Sequence, residues 1–485
     1  MTTLEQALHI FRKDARHLRL EIAGVFLLLF FLILTGVQTW EGLQRRGGPD
    51  ISNESPLSVL LVVAWSLLIA RAIQTEALPG DRHFWLTRPY SRAGLALSKA
   101  LFIAAFINLP FLLAQAAIVS LDGLPLFSNI GGLLWNQMLV SVLLLLPVAA
   151  VAALTRNLAQ FLPAVVLTAG LFAAPVGGNG SMGDLEWIRS SLGFAVAATI
   201  TTLALWRQYR LRRSGNTAIL AVGATAVGLV LYLSFPQSVA FAIQSRLIGA
   251  PDGQFALRLA KVGPRETETK AVNRYQQLIA LPIAVAGADP RDLHIESSEI
   301  TFKTLSGITR RPWARADIVE QKLVLKTSLD RNFFDAAKNS PVSLRAVFYL
   351  TQFGNARSAE VSLDGTPVYI SGPGQCGVAA SHDRRMFVCR SAFQSPKAFL
   401  SERVARGDGN NAYSPFPAQL RIYPVVARTY RLLGGAADEL APAAPERPAT
   451  LMVRDAVAYF RYTMETSNVR LGDFAITEPN DDARR

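Results

Sequence analysis

Long apolar runs alternate with short polar segments through the first half of the chain. Each run is close to the ~20 residues that a helix needs to cross a bilayer, and the second and shortest has room to extend through residues 71–75. The sequence therefore predicts an α-helical polytopic membrane bundle of about seven spans over residues 22–235. The predicted spans are Ile22–Trp40, Leu57–Ala70, Ala100–Val119, Leu133–Leu154, Leu158–Val176, Ser190–Leu205 and Thr217–Phe235.

Residues 1–21 have the periodicity of an amphipathic helix. Apolar side chains recur at spacings of three and four residues, which places them on one stripe, and Thr2 with Glu5 forms the pattern of a capping box. A basic amphipathic helix directly before a span is expected to lie in the membrane interface. The alternative is a plain basic flank that only orients the first span. The stripe consists of Leu4, Leu8, Phe11, Ala15 and Leu18.

Beyond Phe235 the periodicity changes from helical to alternating. Alternation between Gly, Pro, Asn and Asp boundaries is typical of strands, and several strands in succession indicate a sandwich or barrel. The pattern predicts a β-rich domain over residues 236–477, possibly as two lobes that divide near 328–341, and a disordered tail over 478–485. The predicted strands are Gln254–Lys261, Leu293–Phe302, Lys322–Thr327, Val342–Leu350, Ala359–Ile370, Gln419–Val426 and Thr450–Tyr462.

Two short helices are predicted within the β-rich domain. The first follows Asp330, a good N-cap residue, and covers Arg331–Lys338. The second begins after Ser395, has Pro396 at its first position and ends before Gly407.

Charge and composition orient the predicted bundle. Of 485 residues, 51% are hydrophobic and 18% are charged. Loops on the side of the N-terminus carry 14 Lys and Arg residues, whereas loops on the other side carry 3. This asymmetry is the positive-inside rule, so the sequence predicts a cytoplasmic N-terminus and an extracytoplasmic C-terminal domain. We expect the membrane to be the bacterial inner membrane. The net charge of +13 forms no basic stripe with interleaved aromatic residues, which argues against nucleic-acid binding.

The two cysteines give a partly independent indication of the side. Cys376 and Cys389 both lie in the C-terminal half, within a segment that resembles a β-hairpin. An oxidising compartment favours a disulfide between them. The alternative is two reduced thiols.

The spans have polar residues but no ionisable side chain at the centre of any of them. Ionisable groups inside a membrane usually mark proton or ion pathways, so their absence argues against a proton-coupled transporter. The polar residues either hydrogen-bond between helices or face a substrate. They are Asn108, Gln115, Asn136 and Gln137.

No catalytic motif is present in the sequence. The chain has no phosphate-binding Gly-x-x-x-x-Gly-Lys-[Ser/Thr] loop, no His-Glu-x-x-His and no Gly-x-Ser-x-Gly. Its five histidines lack metal-ligand spacing. We therefore expect no enzyme activity and no cofactor in this chain.

The loop of residues 76–99, between the second and third spans, carries a distinctive pattern. Pro79 and Gly80 interrupt the preceding helix, and Asp81 is a good N-cap for a short helix. Arg88 precedes Pro89, so the short helix is expected to end there. Ser91 is then placed to cap the next helix. The short helix presents three large apolar side chains, Phe84, Trp85 and Leu86.

This loop resembles the cytoplasmic coupling loop of the type-2 family of ABC exporter permeases. In that family a Glu ends the second span, a short coupling helix follows, and a Pro-x-Ser-Arg turn leads to a Lys in the third span. Here the corresponding residues are Glu76, the segment Asp81–Arg88, Pro89-Tyr90-Ser91-Arg92 and Lys99. The family also has an N-terminal interfacial helix, which corresponds to the predicted amphipathic helix of residues 1–21. The resemblance covers the N-terminal half of the chain only.

The resemblance implies a function and a set of partners. The chain would be a permease subunit that pairs with a separate ABC ATPase subunit, which binds the ATP, and forms a homo- or heterodimer in the lipid bilayer. Phe84, Trp85 and Leu86 would anchor the coupling helix, Arg82 and Arg88 would steer it, and Glu76 would fix the end of the second span. A second hypothesis is a membrane-anchored sensor or envelope-assembly scaffold whose outer domain binds a ligand.

Overall fold

The computed structural model describes most of the helical and β-rich parts of the chain. It describes residues 2–37, 56–75, 91–155, 157–173, 186–211, 235–248, 255–260, 275–287, 292–312, 314–319, 322–362, 366–371, 373–381, 384–392, 399–404, 411–414, 422–431 and 449–476.

Helices occupy the N-terminal half, as the apolar runs predict. Two of them are continued by π-helical segments, π1 (Ala104–Asn108) and π2 (Ser141–Leu145). The α-helices are α1 (Thr3–His17), α2 (Arg19–Gly36), α3 (Pro56–Gln74), α4 (Arg92–Ile103), α5 (Leu109–Leu121), α6 (Leu126–Val140), α7 (Leu146–Leu154), α8 (Leu158–Ala173), α9 (Glu186–Leu211), α10 (Gln237–Ile248) and the short α11 (Arg331–Ala337).

Four of these helices are long and apolar enough to cross a membrane. They are α2, α3, the continuous helix of Ala93–Leu121 and the continuous helix of Leu126–Leu154. The helices α8 and α9 lie at the fifth and sixth predicted spans. The seventh predicted span, Thr217–Phe235, lies outside the described residues except for Phe235.

The fourth predicted span begins earlier than its apolar run suggested. We expected it to start at Leu133, but α6 starts at Leu126 and includes Ser128 and Asn129. These polar side chains are satisfied inside the first turn, because Ser128 Oγ and Asn129 Nδ2 donate to the carbonyl oxygen of Pro125 at 2.9 and 2.7 Å. Local hydrogen bonds of this kind let polar residues begin a membrane helix.

Both π-helical segments precede a proline. Pro110 follows π1 and Pro147 follows π2, in each case two residues after the segment ends. Proline has no N–H and its ring clashes with the carbonyl of the preceding turn. Local widening to π geometry relieves this conflict within an otherwise continuous helix, and π-bulges of this kind occur frequently at functional sites.

The N-terminal helix α1 has the predicted capping box. Thr2 N donates to the Glu5 carboxylate at 2.7 Å, and Glu5 N donates to Thr2 Oγ1 at 3.3 Å. The buried face of α1 does not coincide with the predicted apolar stripe. Ala7, Ile10 and Asp14 face the protein, whereas Leu4 and Leu8 of the stripe are exposed. The helix therefore has one face on the bundle and apolar side chains on an outer face.

The described residues of the C-terminal half form three antiparallel sheets. Their strand orders are β1-β2-β6-β5, β12-β11-β14-β7-β3-β4 and β13-β10-β9-β8. The strands are β1 (Ala256–Leu259), β2 (Gln276–Ala286), β3 (Leu293–Thr304), β4 (Thr309–Arg310), β5 (Ala314–Val319), β6 (Lys322–Asp330), β7 (Val342–Val361), β8 (Val368–Ile370), β9 (Gly374–Ser381), β10 (Arg384–Ala392), β11 (Phe399–Val404), β12 (Asn411–Ser414), β13 (Val425–Arg431) and β14 (Ala449–Val469).

The first two sheets share one core. Leu281 of β2 and Leu325 of β6 lie in the same apolar cluster as Phe302 and Phe348 of the six-stranded sheet. Phe333 of α11 also lies in this cluster, and Asp330 Oδ1 caps α11 by accepting from Asn332 N and Phe333 N. Residues on both sides of the predicted lobe boundary near 328–341 therefore bury their side chains together.

Three details of the strands differ from the sequence prediction. The helix expected between Ser395 and Gly407 is wrong, because Phe399–Val404 is a strand that pairs with β14 and β12. The predicted strand Ala359–Ile370 is split between the end of β7 and β8. The strand β2 was not predicted. It contains Pro282, whose carbonyl oxygen accepts a hydrogen bond from Ala260 N at 2.8 Å.

The β-rich half meets the helical half at one end of the helices. Gln115 Nε2 of α5 donates to the carbonyl oxygen of Ile422 at 3.0 Å. A Cβ on Gly36, at the end of α2, would lie 3.0 Å from both Ile118 and Tyr423. Near the start of α9, Ile188 packs in a cluster with Phe241 of α10 and residues of β7 and β14. The helix α1 lies at the opposite end, beside the start of α4.

Candidate functional site

Most of the predicted coupling residues lie in residues 76–90, outside the described residues. This group comprises Glu76, Asp81, Arg82, Phe84, Trp85, Leu86, Arg88 and Pro89. Arg92 is the first residue of α4. The structure does describe both flanks of the loop and therefore shows what they are attached to. Cys376 and Cys389 are cross-strand neighbours on β9 and β10 and are joined by a disulfide bond.

The flank after the loop is fastened to α1. Ser91 caps α4 as expected, with Ser91 Oγ accepting from Gly94 N at 3.0 Å. The main-chain nitrogen of Ser91 donates to Gln6 Oε1 of α1, also at 3.0 Å. Gly94 matches this close approach, because a Cβ there would lie 3.0 Å from Ser91 Oγ and 3.4 Å from the Gln6 side chain.

A buried ion pair makes the second connection between α1 and α4. Lys99 Nζ donates to Asp14 Oδ2 at 2.7 Å, and the two side chains are 6% and 3% exposed. Each charged group compensates for the hydration that its partner lost on burial. Removing either partner would therefore leave an uncompensated buried charge. The pair therefore holds α1 in one position against α4.

Aromatic side chains make the third connection. The Phe11 ring stacks on Phe106 with centroids 5.5 Å apart, and it meets Phe102 edge-on at 6.5 Å. Together with the Gln6 hydrogen bond and the Asp14 ion pair, these contacts join α1 to α4 and π1 along much of the length of α1. Displacement of the start of α4 would consequently carry α1 with it.

The flank before the loop is also held. Near the end of α3, Arg71 Nη2 lies 3.4 Å from Glu21 Oε1 of α2. Gln74 Nε2 donates to Thr155 Oγ1, in the turn after α7, at 3.0 Å. Residues 76–90 thus connect two helix ends that are each bonded to other helices, and a force on this segment would reach α1, α2 and α7.

A cavity of about 650 Å³ lies next to Lys99. It extends between the end of α3, the inner face of α4, both π-helical segments, α7 and α9. Its polar wall consists of Lys99, Asn108, Ser141 and Thr202, and Trp206 lies at its edge. Its apolar lining is Ile73, Ala93, Ala96, Ala100, Ile103, Leu145, Leu146, Ala149 and Leu205.

A hydrogen-bonded cluster links the two π-helical segments. Gln137 Nε2 donates to Asn108 Oδ1 at 2.7 Å and to the Asn108 carbonyl oxygen at 3.1 Å. Ser141 Oγ lies 3.1 Å from the same Oδ1. The expectation that Asn108 and Gln137 bond between helices is confirmed. Gln115, in contrast, bonds to the β-rich half.

Sequence reasoning missed Asp14 and Ser141 as members of these arrangements. Asp14 follows Ala7 and Ile10 on the buried face of α1, so its helical spacing was a usable signal. Ser141 shows no local sign of its role, because its partner Asn108 is on another helix. The prolines at 110 and 147 were the available indication that both helices are irregular.

A second ion pair fastens the β-rich half to the helices. Arg390 Nη2 of β10 lies 2.8 Å from Asp122 Oδ2, directly after α5, and both side chains are almost completely buried. Within the described residues, neither Nη1 nor Nη2 of Arg390 makes an aligned hydrogen bond. Gly374 allows the chain to pass close to this point, because its φ is +94° and a Cβ would overlap the Arg390 carbonyl oxygen.

The six-stranded sheet also buries titratable groups. Burial lowers the pKa of His294 to about 4. Burial, followed by a hydrogen bond to Glu299 at 3.0 Å, raises the pKa of Tyr349. Thr351 Oγ1 donates to Glu296 Oε1 at 2.6 Å. Among the described residues, no group of three or more His, Cys, Asp or Glu side chains is placed to hold a metal ion.

Comparison with known proteins does not assign the chain to a family. No protein-family model matches it, and no curated protein matches it significantly.

Proposed function

We propose that this chain is the permease subunit of an ABC-type exporter. In this proposal a separate ATPase subunit binds ATP and grips the segment of residues 76–90, and its closure moves the helices attached to that segment. A dimer of permease subunits forms the pathway. The nucleotide is bound by the ATPase subunit and not by this chain.

The observation that carries this proposal is the attachment of both flanks of the loop. An ATPase can move a permease only if force on the loop reaches the helices. The Asp14–Lys99 ion pair and the Gln6–Ser91 hydrogen bond join the start of α4 to α1, while Gln74 joins the end of α3 to the turn at Thr155. These bonds give such a force a path to α1 and to the turn after α7.

The proposed topology has seven spans, with α1 and residues 76–90 in the cytoplasm and the β-rich half outside the bacterial inner membrane. Two observations support it. The basic residues concentrate in the loops on the α1 side. The β-rich half contacts the ends of α2 and α5 that are remote from α1.

Co-purification with the ATPase tests the coupling proposal. The candidate is an ABC ATPase subunit of the same organism that is co-expressed with this chain, and the variant is Trp85→Ala with Leu86→Asp. We expect the wild-type chain to retain the ATPase and the variant to lose it, since a coupling helix is anchored by its apolar side chains. A matched control is Tyr369→Ala with Leu305→Asp, at exposed sites of the β-rich half. Equal retention by all three proteins would contradict the proposal and favour the sensor or scaffold hypothesis.

Cysteine labelling tests the topology. Cys376 and Cys389 are fully buried, so the reporter is Leu305→Cys, which replaces an exposed side chain, in a background with both native cysteines changed to Ala. We expect a membrane-impermeant maleimide to label this cysteine in intact spheroplasts. Labelling only after lysis would place the β-rich half in the cytoplasm and overturn the seven-span topology.

A further inference from the structure

The cavity beside Lys99 has the position, length and lining of a lipid-chain site. Three of the helices that line it, α3 and the continuous helices of Ala93–Leu121 and Leu126–Leu154, are long and apolar enough to cross a membrane. Lys99 and Asn108 are nine residues apart, which is ~14 Å along a helix. This length is close to half of the ~30 Å hydrocarbon thickness of a bilayer, which is one leaflet.

The small residues of α4 create the space. Ala93, Ala96 and Ala100 recur on one face of α4, which is the face toward Thr202 and Trp206 of α9. Larger side chains at these positions would fill the gap between α4 and α9. The volume of about 650 Å³ is within the range of roughly 300–1,000 Å³ that ligand sites occupy.

The two ends of the cavity differ in polarity. At the end near α1, Lys99 and its partner Asp14 form a locally neutral pair, and Trp206 is exposed at the edge. Tryptophan is typical of the membrane–water interface, where lipid head groups begin. At the deep end, Asn108 and Ser141 close the cavity with the hydrogen bonds that join π1 to π2.

We propose that this cavity binds one long hydrocarbon chain of an amphiphile from the leaflet on the α1 side. The polar head lies near Trp206 and the Lys99–Asp14 pair, and the methyl end lies against π1 and π2. The amphiphile is either a membrane phospholipid or a free fatty acid, which share this chemistry. The site is separate from the proposed ATPase contact, and its occupancy does not depend on nucleotide.

The proposal predicts the orientation of a bound chain. In the purified full-length protein, a photoactivatable C16 fatty acid with its diazirine near the methyl end should label residues around Ile103 and Leu145. The same acid with its diazirine near the carboxyl end should label residues around Ala96 and Trp206. A phosphatidylcholine with the methyl-end diazirine tells the two sources apart, since it labels the deep end only if phospholipids enter.

Filling the cavity provides the decisive comparison. Ala100→Trp should reduce deep-end labelling at least about fivefold, because the indole occupies the space of the chain. Ala23→Trp is the matched control, since it adds the same side chain to an exposed position of α2. Ala96→Phe is the second filling variant. Size-exclusion profiles and thermal unfolding confirm that each variant is folded.

Three results would overturn the proposal. Labelling spread evenly over the lipid-exposed faces of α2 and α3 would show that the chain contacts only the outer surface. Equal labelling in the wild type and in a folded filling variant would show that the cavity is not the site. Loss of labelling in Ala23→Trp equal to that in Ala100→Trp would show an indirect effect of the added side chain. These measurements use no ATPase, so they succeed or fail independently of the proposed function.

Discussion

The continuous helix from α4 through π1 to α5 has a buried ion pair at each end, and the two pairs are built differently. Near its start, Lys99 donates an aligned hydrogen bond to Asp14. Just beyond its other end, Asp122 and Arg390 approach to 2.8 Å without aligned hydrogen bonds from the Arg390 Nη atoms. A buried pair repays its desolvation only with good geometry and satisfied hydrogen bonds. The α1 junction should therefore be the firmer of the two.

Breaking the α1 junction should have the largest effect. Asp14→Ala leaves the Lys99 charge buried without its partner, so we expect the free energy of unfolding to fall by about 3–5 kcal/mol. The measurement is denaturant unfolding of the detergent-solubilised protein. Adding Lys99→Met should recover part of the loss. A loss below about 1 kcal/mol for Asp14→Ala would show that the pair does not stabilise this junction.

Breaking the β-rich junction should cost less, and removing both partners there should recover more of the loss. Arg390→Met should destabilise by about 3 kcal/mol, whereas Arg390→Met with Asp122→Leu should be close to wild type or more stable. The single and double variants of each pair give the comparison directly. A double variant of the Arg390–Asp122 pair that is less stable than the double variant of the Lys99–Asp14 pair would reverse the contrast between the two ends.

The disulfide supports the strand that carries Arg390. Cys389 is adjacent to Arg390 and pairs across the strands with Cys376, 13 residues earlier. Changing both cysteines to Ala should cost about 2–3 kcal/mol, because a loop of this length gains more conformational freedom in the unfolded chain. Combined with Arg390→Met, the loss should be less than additive. In contrast, it should be additive with Asp14→Ala, which is at the other end of the molecule.

Acid should weaken the β-rich half through His294. Burial lowers the pKa of His294 to about 4, so below its ordinary value of about 6.5 the unfolded chain binds a proton that the folded chain does not. Stability is complete above pH 6.5 and falls as the pH decreases toward 4. We expect a loss of roughly 2 kcal/mol between pH 6.5 and 5, which His294→Asn should remove. The same loss in His294→Asn as in wild type would contradict this, and His17→Asn is the exposed control.

An exposed pair provides the lower limit of the comparison. Arg345 and Glu465 lie 3.3 Å apart on neighbouring strands and are 58% and 66% exposed. Arg345→Ala should change the free energy of unfolding by no more than about 0.5 kcal/mol, because solvent screens the pair. A change as large as that of Asp14→Ala would show that burial does not explain the difference between the pairs.

Local features of the fold could be predicted, and contacts between distant residues could not. The capping box of Thr2 and Glu5, the cap at Asp330 and the cap at Ser91 depend on a few neighbouring residues, and all three are confirmed. Asp14 and Lys99 are 85 residues apart, and nothing in either local sequence identifies the other. The helix expected after Ser395 was wrong because a neighbouring strand, β14, was available for pairing with Phe399–Val404.

The same distinction between local features and contacts of distant residues applies to the candidate site. The apolar runs predicted which helices would surround it, and the polar character of Asn108 and Gln137 predicted a bond between helices. The cavity depends on how far apart α4 and α9 lie, which no sequence period encodes. Neither π-helical segment was predicted, although Pro110 and Pro147 were available signals of irregular helices.

Gly36 sets how closely the two halves of the molecule approach. Its missing side chain leaves the end of α2 in contact with both Ile118 and Tyr423, where even a single methyl group would be only 3.0 Å from each. The helical and β-rich halves therefore approach closely at this point, and an added Cβ would require the Ile118 and Tyr423 side chains to move by a few tenths of an ångström. Alanine at this position would act as a wedge, and it would test whether the seam must stay closed for the protein to work.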